Sequence, residues 1–345
     1  MIAAPLVSVD KLKIHFPTKR RGRTVKAVDG VTFDIEPSTT LSIIGESGSG
    51  KSTLGRALVC LTRPTEGTVL HDGTDPFRLG RSALRRHRRD YQLIFQDPHA
   101  ALDPRMTILE SVREPLDIVG EIPKADRNAQ AHGLLERVGI APALHERYPH
   151  QLSGGQKQRV NIARALTTRP KVLVCDEVVA ALDVSVQAGI LNLFADIQRD
   201  FGLTYVFITH DLAVAAHISD EIAVMYLGQF VEKGLAEAVQ ETPLHPYTRA
   251  LLSAEPEPLP SAMRENNRIV LKGEVPSPIT PPAACRFHTR CPRAQARCSK
   301  DAPDFRQLRP GRWVACHFAE EMLEEAGEKA QAGPAERAGQ RQACE

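Results

Sequence analysis

A chain of 345 residues, 42% apolar and 25% charged, can bury a substantial core and is too long for one minimal domain; one large domain with a smaller appendage is expected. No stretch approaches the roughly 18–20 uninterrupted apolar residues of a membrane-spanning helix. The start, Met1-Ile2-Ala3-Ala4-Pro5-Leu6, lacks the basic-then-apolar pattern of a secretory signal, so a cytoplasmic chain that reaches a membrane only through partners is expected.

A formal net charge of +2 gives no general case for nucleic acid. The two basic runs, Lys19-Arg20-Arg21-Gly22-Arg23 and Arg85-Arg86-His87-Arg88-Arg89, read as solvated loop and helix surface, with anionic lipid headgroups as the alternative. Neither carries the interleaved aromatics of a single-strand nucleic-acid groove.

In chain order, residues 1–95 alternate short β-rich runs (31–35, 67–71, 91–95) with a glycine-rich string, Gly45-Glu46-Ser47-Gly48-Ser49-Gly50-Lys51-Ser52-Thr53. The string follows an apolar strand, Thr40–Ile44, and opens a helix over 52–60, the setting of a phosphate-binding loop of pattern G-x-x-x-x-G-K-S/T. The glycines let backbone N–H groups curl around phosphates, Lys51 can reach the β- and γ-phosphates, and the Ser52 hydroxyl can ligate Mg²⁺. A plain glycine–serine loop would need neither the lysine nor the flanking strand and helix.

From about 100 to 168 the pattern turns helical, over 107–118, 125–138 and 154–168, the last opened by Leu152-Ser153-Gly154-Gly155-Gln156. Strands return at 172–175, 204–208 and 221–226, alternating with helices at 185–199 and 212–218, which implies parallel βα units. The run Val172-Leu173-Val174-Cys175 ends in Asp176-Glu177, placing two carboxylates at the carboxyl end of a central strand. Asp176 would hold Mg²⁺ and Glu177 would polarise the water that attacks the γ-phosphate.

Past about 233 prolines cluster at Pro256, Pro258, Pro260, Pro276, Pro278, Pro281 and Pro282, the mark of extended linker. Residues 320–345 read as a frayed helix or disordered tail. Four of the seven cysteines, Cys285, Cys291, Cys298 and Cys316, lie between linker and tail. In a cytoplasmic chain such a cluster points to metal more than to disulfides, although no close CxxC pair supports a zinc ribbon. Cys60 and Cys175 read as small buried hydrophobes.

Together these strings resemble the ABC-type ATPases, whose signature is Leu152-Ser153-Gly154-Gly155-Gln156. The resemblance implies an α/β P-loop NTPase core with an antiparallel β subdomain and a helical insert at about 100–168, within a nucleotide-binding domain of residues 1–235. A C-terminal extension (236–320) and the tail (321–345) would follow. It implies that Ser153, Gly154, Gly155 and Gln156 form a second phosphate cradle serving the nucleotide held by an opposite subunit, and that two domains pack head to tail around ATP. The backbone N–H groups of Gly154 and Gly155 at a helix start make an anion site plausible.

By the same resemblance Gln96 contacts Mg²⁺ and the attacking water and reports to a membrane partner, His210 contacts the γ-phosphate, and Asp183 reaches across the dimer. Phe16 is the candidate for stacking on adenine, with His15 as the outside choice. The chain departs from the family at Glu177-Val178-Val179-Ala180-Ala181-Leu182-Asp183, where a proline and a serine are common; Ala180 lacks a hydroxyl, and an altered turnover rate is expected.

His245-Pro246-Tyr247-Thr248-Arg249 and Cys285-Arg286-Phe287-His288-Thr289-Arg290-Cys291-Pro292 resemble the extension on ATPases of oligopeptide, dipeptide and nickel importers, here of the "F-type" member. The resemblance implies a second ATPase subunit (a related chain or a second copy), two transmembrane permease subunits, an indirect extracytoplasmic solute-binding protein and a place on the cytoplasmic face of the membrane. Four thiolates suit a [4Fe-4S] cluster, which the resemblance implies through some relatives with this extension; bound zinc or four reduced thiols stay open. Two rival classes are a soluble ABC-type ATPase acting on nucleic acid or ribosomes and a redox- or metal-responsive regulator.

Overall fold

The computed structural model describes residues 4–19, 22–180, 182–254 and 269–331. Its first elements are strands β1 (Val7–Pro17), β2 (Thr24–Ile35) and β3 (Thr40–Ile44), helix α1 (Lys51–Leu58), strand β4 (Glu66–His71), helix α2 (Arg81–His87) and strand β5 (Tyr91–Ile94). The three helices α3 (Ile108–Val119), α4 (Lys124–Arg137) and α5 (Gly154–Leu166) follow as one block. Then come β6 (Val172–Asp176), α6 (Val184–Phe201), β7 (Thr204–Thr209), α7 (Leu212–Ile218), β8 (Glu221–Tyr226) and β9 (Gln229–Leu235). The remaining elements are α8 (Ala236–Glu241), α9 (Pro246–Ser253), β10 (Arg306–Arg309), β11 (Arg312–Val314) and α10 (Ala319–Gln331).

Two sheets organise these elements. The first is antiparallel, in the order β2-β1-β4; the second has eight strands in the order β10-β11-β9-β8-β3-β7-β6-β5. Strands β3, β6 and β7 are buried at every residue, as strands covered on both faces must be, and they pair in parallel with one another, with β5 and with β8. Because parallel neighbours end on the same edge, the segments leaving β3, β5, β6 and β7 emerge side by side there. This single topological fact assembles the site.

The sheets and helices share three large apolar clusters. One joins α3, α4, α5 and α6 to the β6–β7 face and includes Phe194, whose ring meets Tyr205 and Phe207 edge-on at 5.5 and 5.0 Å. Burying each such ring contributes roughly 1.5–3 kcal/mol. A second cluster lies between the three-stranded sheet, α1 and the opposite face of the main sheet. The third packs Ile44, Tyr226 and Leu227 against Tyr247 of α9 and Phe287.

Local signals explain the helix limits. Thr107 caps α3 and exchanges bonds with Glu110 in a capping box, while Gly120 and Gly202 end α3 and α6 in the left-handed conformation. Among the described residues the region beyond 235 builds no sheet of its own; β11 pairs with β9 (Trp313 opposite Lys233, Val314 opposite Glu232), so β10 and β11 extend the edge of the main sheet.

Helix α10 crosses residue 321 and buries Met322 completely; three apolar partners, Leu244, Val314 and Ala319, reward ordering it. Residues 332–345, and with them the rest of the expected tail, lie outside the described residues, as do Pro256, Pro258, Pro260, Arg20 and Arg21. Arg88 and Arg89 are tied into the fold, donating to Cys60 O and to Glu121.

Candidate functional site

The loop after β3 follows a path that only glycine permits at two places. Gly45 has φ 152°, and a Cβ there would lie 2.2 Å from the Met225 carbonyl oxygen; Gly50 has φ 107°, and a Cβ would lie 2.0 Å from that of Ala27. Gly50 then serves as the N-cap of α1 with no side-chain cap, leaving the first-turn N–H groups of α1 facing the loop interior. Lys51 is 5% exposed and donates through Nζ to Gly45 O (2.6 Å) and Glu46 O (2.9 Å). Burial lowers its pKa foremost, against the nearby carboxylates of Glu177, Asp176 and Glu46.

Beside the loop stand the carboxylates at the end of β6. Ser52 donates through Oγ to Asp176 Oδ1 at 2.9 Å. Asp176 is buried, which raises its pKa even though the Ser52 hydroxyl favours the charged form. A cation placed between this hydroxyl and carboxylate would relieve that desolvation, and an oxygen pair of this kind fits Mg²⁺. Glu177 has φ 50°, a left-handed backbone rare for a residue with a Cβ, held by its N–H donating to Ile208 O at 2.9 Å. Its Oε2 accepts from Gln96 Nε2 at 2.6 Å, and His210 Nδ1 lies 3.5 Å from Oε1. One carboxylate thus meets the ends of β5 and β7 at once.

One cleft of about 430 Å³ is bounded by Phe16, Val25 and Ala27 from the three-stranded sheet, by Ser47, Gly48, Gly50, Lys51, Ser52 and Thr53 from the loop and α1, and by Gln96, Glu177 and Pro278. Phe16 is 42% exposed and free to offer its ring. His15 does not line this cleft; its Nε2 lies 2.9 Å from Asp29 Oδ1. Glu46 and Ser49 shape the loop from behind, Glu46 O accepting from Ser49 N–H at 3.2 Å.

The signature string lies elsewhere on the surface. Ser153 caps α5: its Oγ accepts from Gln156 N–H (3.3 Å), and Gln156 Oε1 accepts from Ser153 N–H (2.9 Å). Gly154 and Gly155 form the first turn of α5, and Asp183 stands exposed at the start of α6 without a side-chain cap bond. None of residues 152–156 lines the cleft, so one chain does not join the two halves. Ala180 is exposed beside this face, its N–H donating to Glu177 O at 3.2 Å.

Sequence reasoning missed the residues that the C-terminal region brings to the loop. The Tyr247 hydroxyl accepts from Glu46 N–H at 2.8 Å, and Arg290 pairs with the Glu46 carboxylate at 2.8 and 3.1 Å. Pro278 reaches the cleft because its carbonyl accepts from Lys26 N–H at 3.1 Å. Separations of 201 and 244 residues leave no spacing signal by which these contacts could have been found.

The four cysteines of this region are free thiols lying near one another; Cys285 N–H donates to Cys298 O at 3.1 Å. Burial raises the Cys285 thiol and pushes Cys291 up to about 11 and Cys316 up to about 12, with the other thiols adding to the effect. Among the described residues no group of three or more His, Cys, Asp or Glu side chains stands where it could hold a metal ion. As placed, the thiols do not form the converging set that the expected [4Fe-4S] cluster needs. Among the described residues, no helix is long and apolar enough to cross a membrane.

Comparison with known proteins agrees with this geometry. Residues 28–180 match the ABC transporter family and residues 231–298 match the oligopeptide/dipeptide transporter C-terminal region. The protein YkfD of Bacillus subtilis (strain 168) is 50% identical over 316 residues, 91% of this chain and 95% of its own. The di/tripeptide transport ATP-binding protein DppF of Pseudomonas aeruginosa (strain UCBPP-PA14) is 47% identical over 299 residues, 87% of this chain and 92% of its own. Among solved structures, the dimeric post-hydrolysis state of the ATP-binding cassette MJ0796, bound to ADP and Pi, superimposes with a TM-score of 0.61 at 31% identity, covering 67% of this chain and 98% of that one. The chain therefore belongs to the ATP-binding proteins of ABC transporters, in the oligopeptide/dipeptide branch, and is an ATPase whose hydrolysis of ATP drives transport.

Proposed function

We propose that this ATPase energises the uptake of di- or oligopeptides, working from the cytoplasmic face of the membrane with a second ATPase subunit of related sequence. Two permease subunits would carry the solute, and an extracytoplasmic binding protein would deliver it. The observation that carries the reading is the convergence of Gln96 and His210 on Glu177, which with Lys51 lines a cleft that lacks residues 152–156. A cleft complete for phosphate and water but missing its anion cap needs a partner.

In this reading the N–H groups of residues 47–53 hold the β- and γ-phosphates, and Lys51 exchanges its two loop carbonyls for phosphate oxygens. Ser52, Asp176 and Gln96 would hold Mg²⁺, which supplies charge neutralisation between the phosphates. Glu177, already oriented by Gln96, accepts a proton from the attacking water, and His210 meets the γ-phosphate. Phe16 offers a face for the adenine. Ser153, Gly154, Gly155 and Gln156 of the partner, with its Asp183, close over the same nucleotide. Closure and release then move the helical block α3–α5 against the permease. Nucleic acid has no part in this reading, and no iron–sulfur cluster enters it.

Glu177→Gln tests the centre. The variant keeps its shape and its bond to Gln96 but cannot take the proton, so ATP binding should persist, turnover should fall by at least about 100-fold, and a closed dimer should accumulate on gel filtration with ATP. Normal turnover would refute the role of Glu177. Peptide-stimulated ATPase activity in the complex reconstituted with its permease and binding protein tests the solute; stimulation by unrelated solutes but not by peptides would overturn that assignment.

A further inference from the structure

Glu46 is out of place in an anion cradle. It follows the first glycine of the phosphate loop, and its carboxylate lies close enough to Lys51 to act on that ammonium. An unpaired negative charge there would oppose the polyphosphate that the loop exists to receive. The charge is answered from far along the chain. Arg290 places Nη1 2.8 Å from Glu46 Oε2 and Nη2 3.1 Å from Oε1, a parallel two-point pair with the arginine side chain 8% exposed and the glutamate 27%.

The guanidinium is held in position independently of Glu46. It lies 5.9 Å from the centre of the Tyr226 ring, and Arg290 N–H donates to Phe287 O at 3.0 Å. Phe287 is buried 5.2 Å from Tyr226 and 5.4 Å from Tyr247. Neighbouring Arg286 binds Asp29 and Leu227 O, tying the same turn to β2 and to the end of β8. Tyr247 closes the arrangement by accepting the Glu46 N–H. The side chain, N–H and carbonyl of Glu46 are therefore held by Arg290, Tyr247 and Lys51 respectively.

We propose that Arg290 is a positioning residue of the ATP site: by neutralising and orienting Glu46 it keeps the phosphate loop receptive to a triphosphate, so that nucleotide affinity depends on the docked C-terminal region. This rests on the loop over residues 45–53 being the ATP phosphate site.

The test is equilibrium binding of MgATP to the full-length chain, with steady-state ATPase kinetics of the assembled complex. Arg290→Ala should weaken ATP binding about tenfold, equal to ~1.4 kcal/mol, and raise KM accordingly while kcat stays within about twofold. Glu46→Gln added to Arg290→Ala should restore affinity to within about threefold of the parent, because the harm comes from the exposed carboxylate. A merely structural arginine would not be rescued by that second change, and such a result would overturn the proposal. If Arg290→Ala is insoluble, Arg290→Gln, of similar reach without the charge, is read by the same criteria. Lys51→Ala separates the two levels. Loss of binding in Lys51→Ala with none in Arg290→Ala sinks this inference alone, and binding retained in Lys51→Ala sinks the site assignment beneath it.

Discussion

Alanine at two adjacent glycines should have opposite effects on stability. A Cβ on Gly155 would lie 2.6 Å from Val186 Cγ1, whereas one on Gly154 would lie 3.8 Å from Leu182 Cδ2. Ordinary carbon contacts sit at about 3.5–4.0 Å, so only the first requires something to move, by about 1 Å. Val186 is β-branched on the first turn of α6 and has essentially one helical rotamer, so relief must come from separating α5 and α6. Overpacking of this kind costs about 1–3 kcal/mol, and the helix propensity gained over glycine returns at most about 1 kcal/mol.

The net expectation is a loss of roughly 1–2 kcal/mol for Gly155→Ala and a gain of a few tenths for Gly154→Ala. Urea unfolding of the purified chain reads both. Val186→Ala in the Gly155→Ala background should cost less than the two single changes summed, since it removes the colliding methyl. Because Ser153 caps the displaced helix, Gly155→Ala should also depress ATPase activity of the assembled dimer while leaving ATP binding by the isolated chain intact. Equal stability of the two alanine variants, or strictly additive effects with Val186→Ala, would refute the packing argument.

Acid should destabilise the fold through His71 and His245, whose pKa values burial lowers from 6.5 to about 3. A histidine depressed in the fold contributes stability that is complete above the unfolded pKa near 6.5 and is lost as pH falls toward 3. Each therefore costs about 1.4 kcal/mol per pH unit below 6.5. Denaturation midpoints from pH 7.5 to 5 should show this slope, and His245→Asn should reduce it; a flat profile contradicts the assignment. Arg312→Met should cost about 3–5 kcal/mol, because Glu232, with no exposed surface, would be left buried without its guanidinium partner at 2.6 Å. Glu232→Gln added to it should recover part of that loss, since the amide oxygen can still accept the Leu244 N–H; a Tm unchanged by Arg312→Met would rule out the pair's contribution.

The local code of this protein was legible along the chain. The phosphate loop, its strand and helix, the acid pair ending β6, the capping serine of α5 and the parallel βα alternation are all short-range patterns. Each carries its own physics of φ angles, caps and burial period. Parallel pairing then required the ends of β3, β5, β6 and β7 to share an edge, so Lys51, Gln96, Glu177 and His210 could be expected together before any coordinates. Composition says less about the C-terminal region: nothing in its prolines and cysteines announces that β11 pairs with β9 or that α10 packs on Leu244 and Val314.

Tertiary structure alone decided what surrounds Glu46. Whether a carboxylate in the loop is a liability or a latch depends on a guanidinium 244 residues away, and on the aromatic wall that holds it. Local periodicity carries no information about such a contact, because its energy depends on two charges leaving water together in one place. The same holds for the thiols: four cysteines in sequence suggested a ligand set, and only the packing around them decided that burial raises Cys285, Cys291 and Cys316.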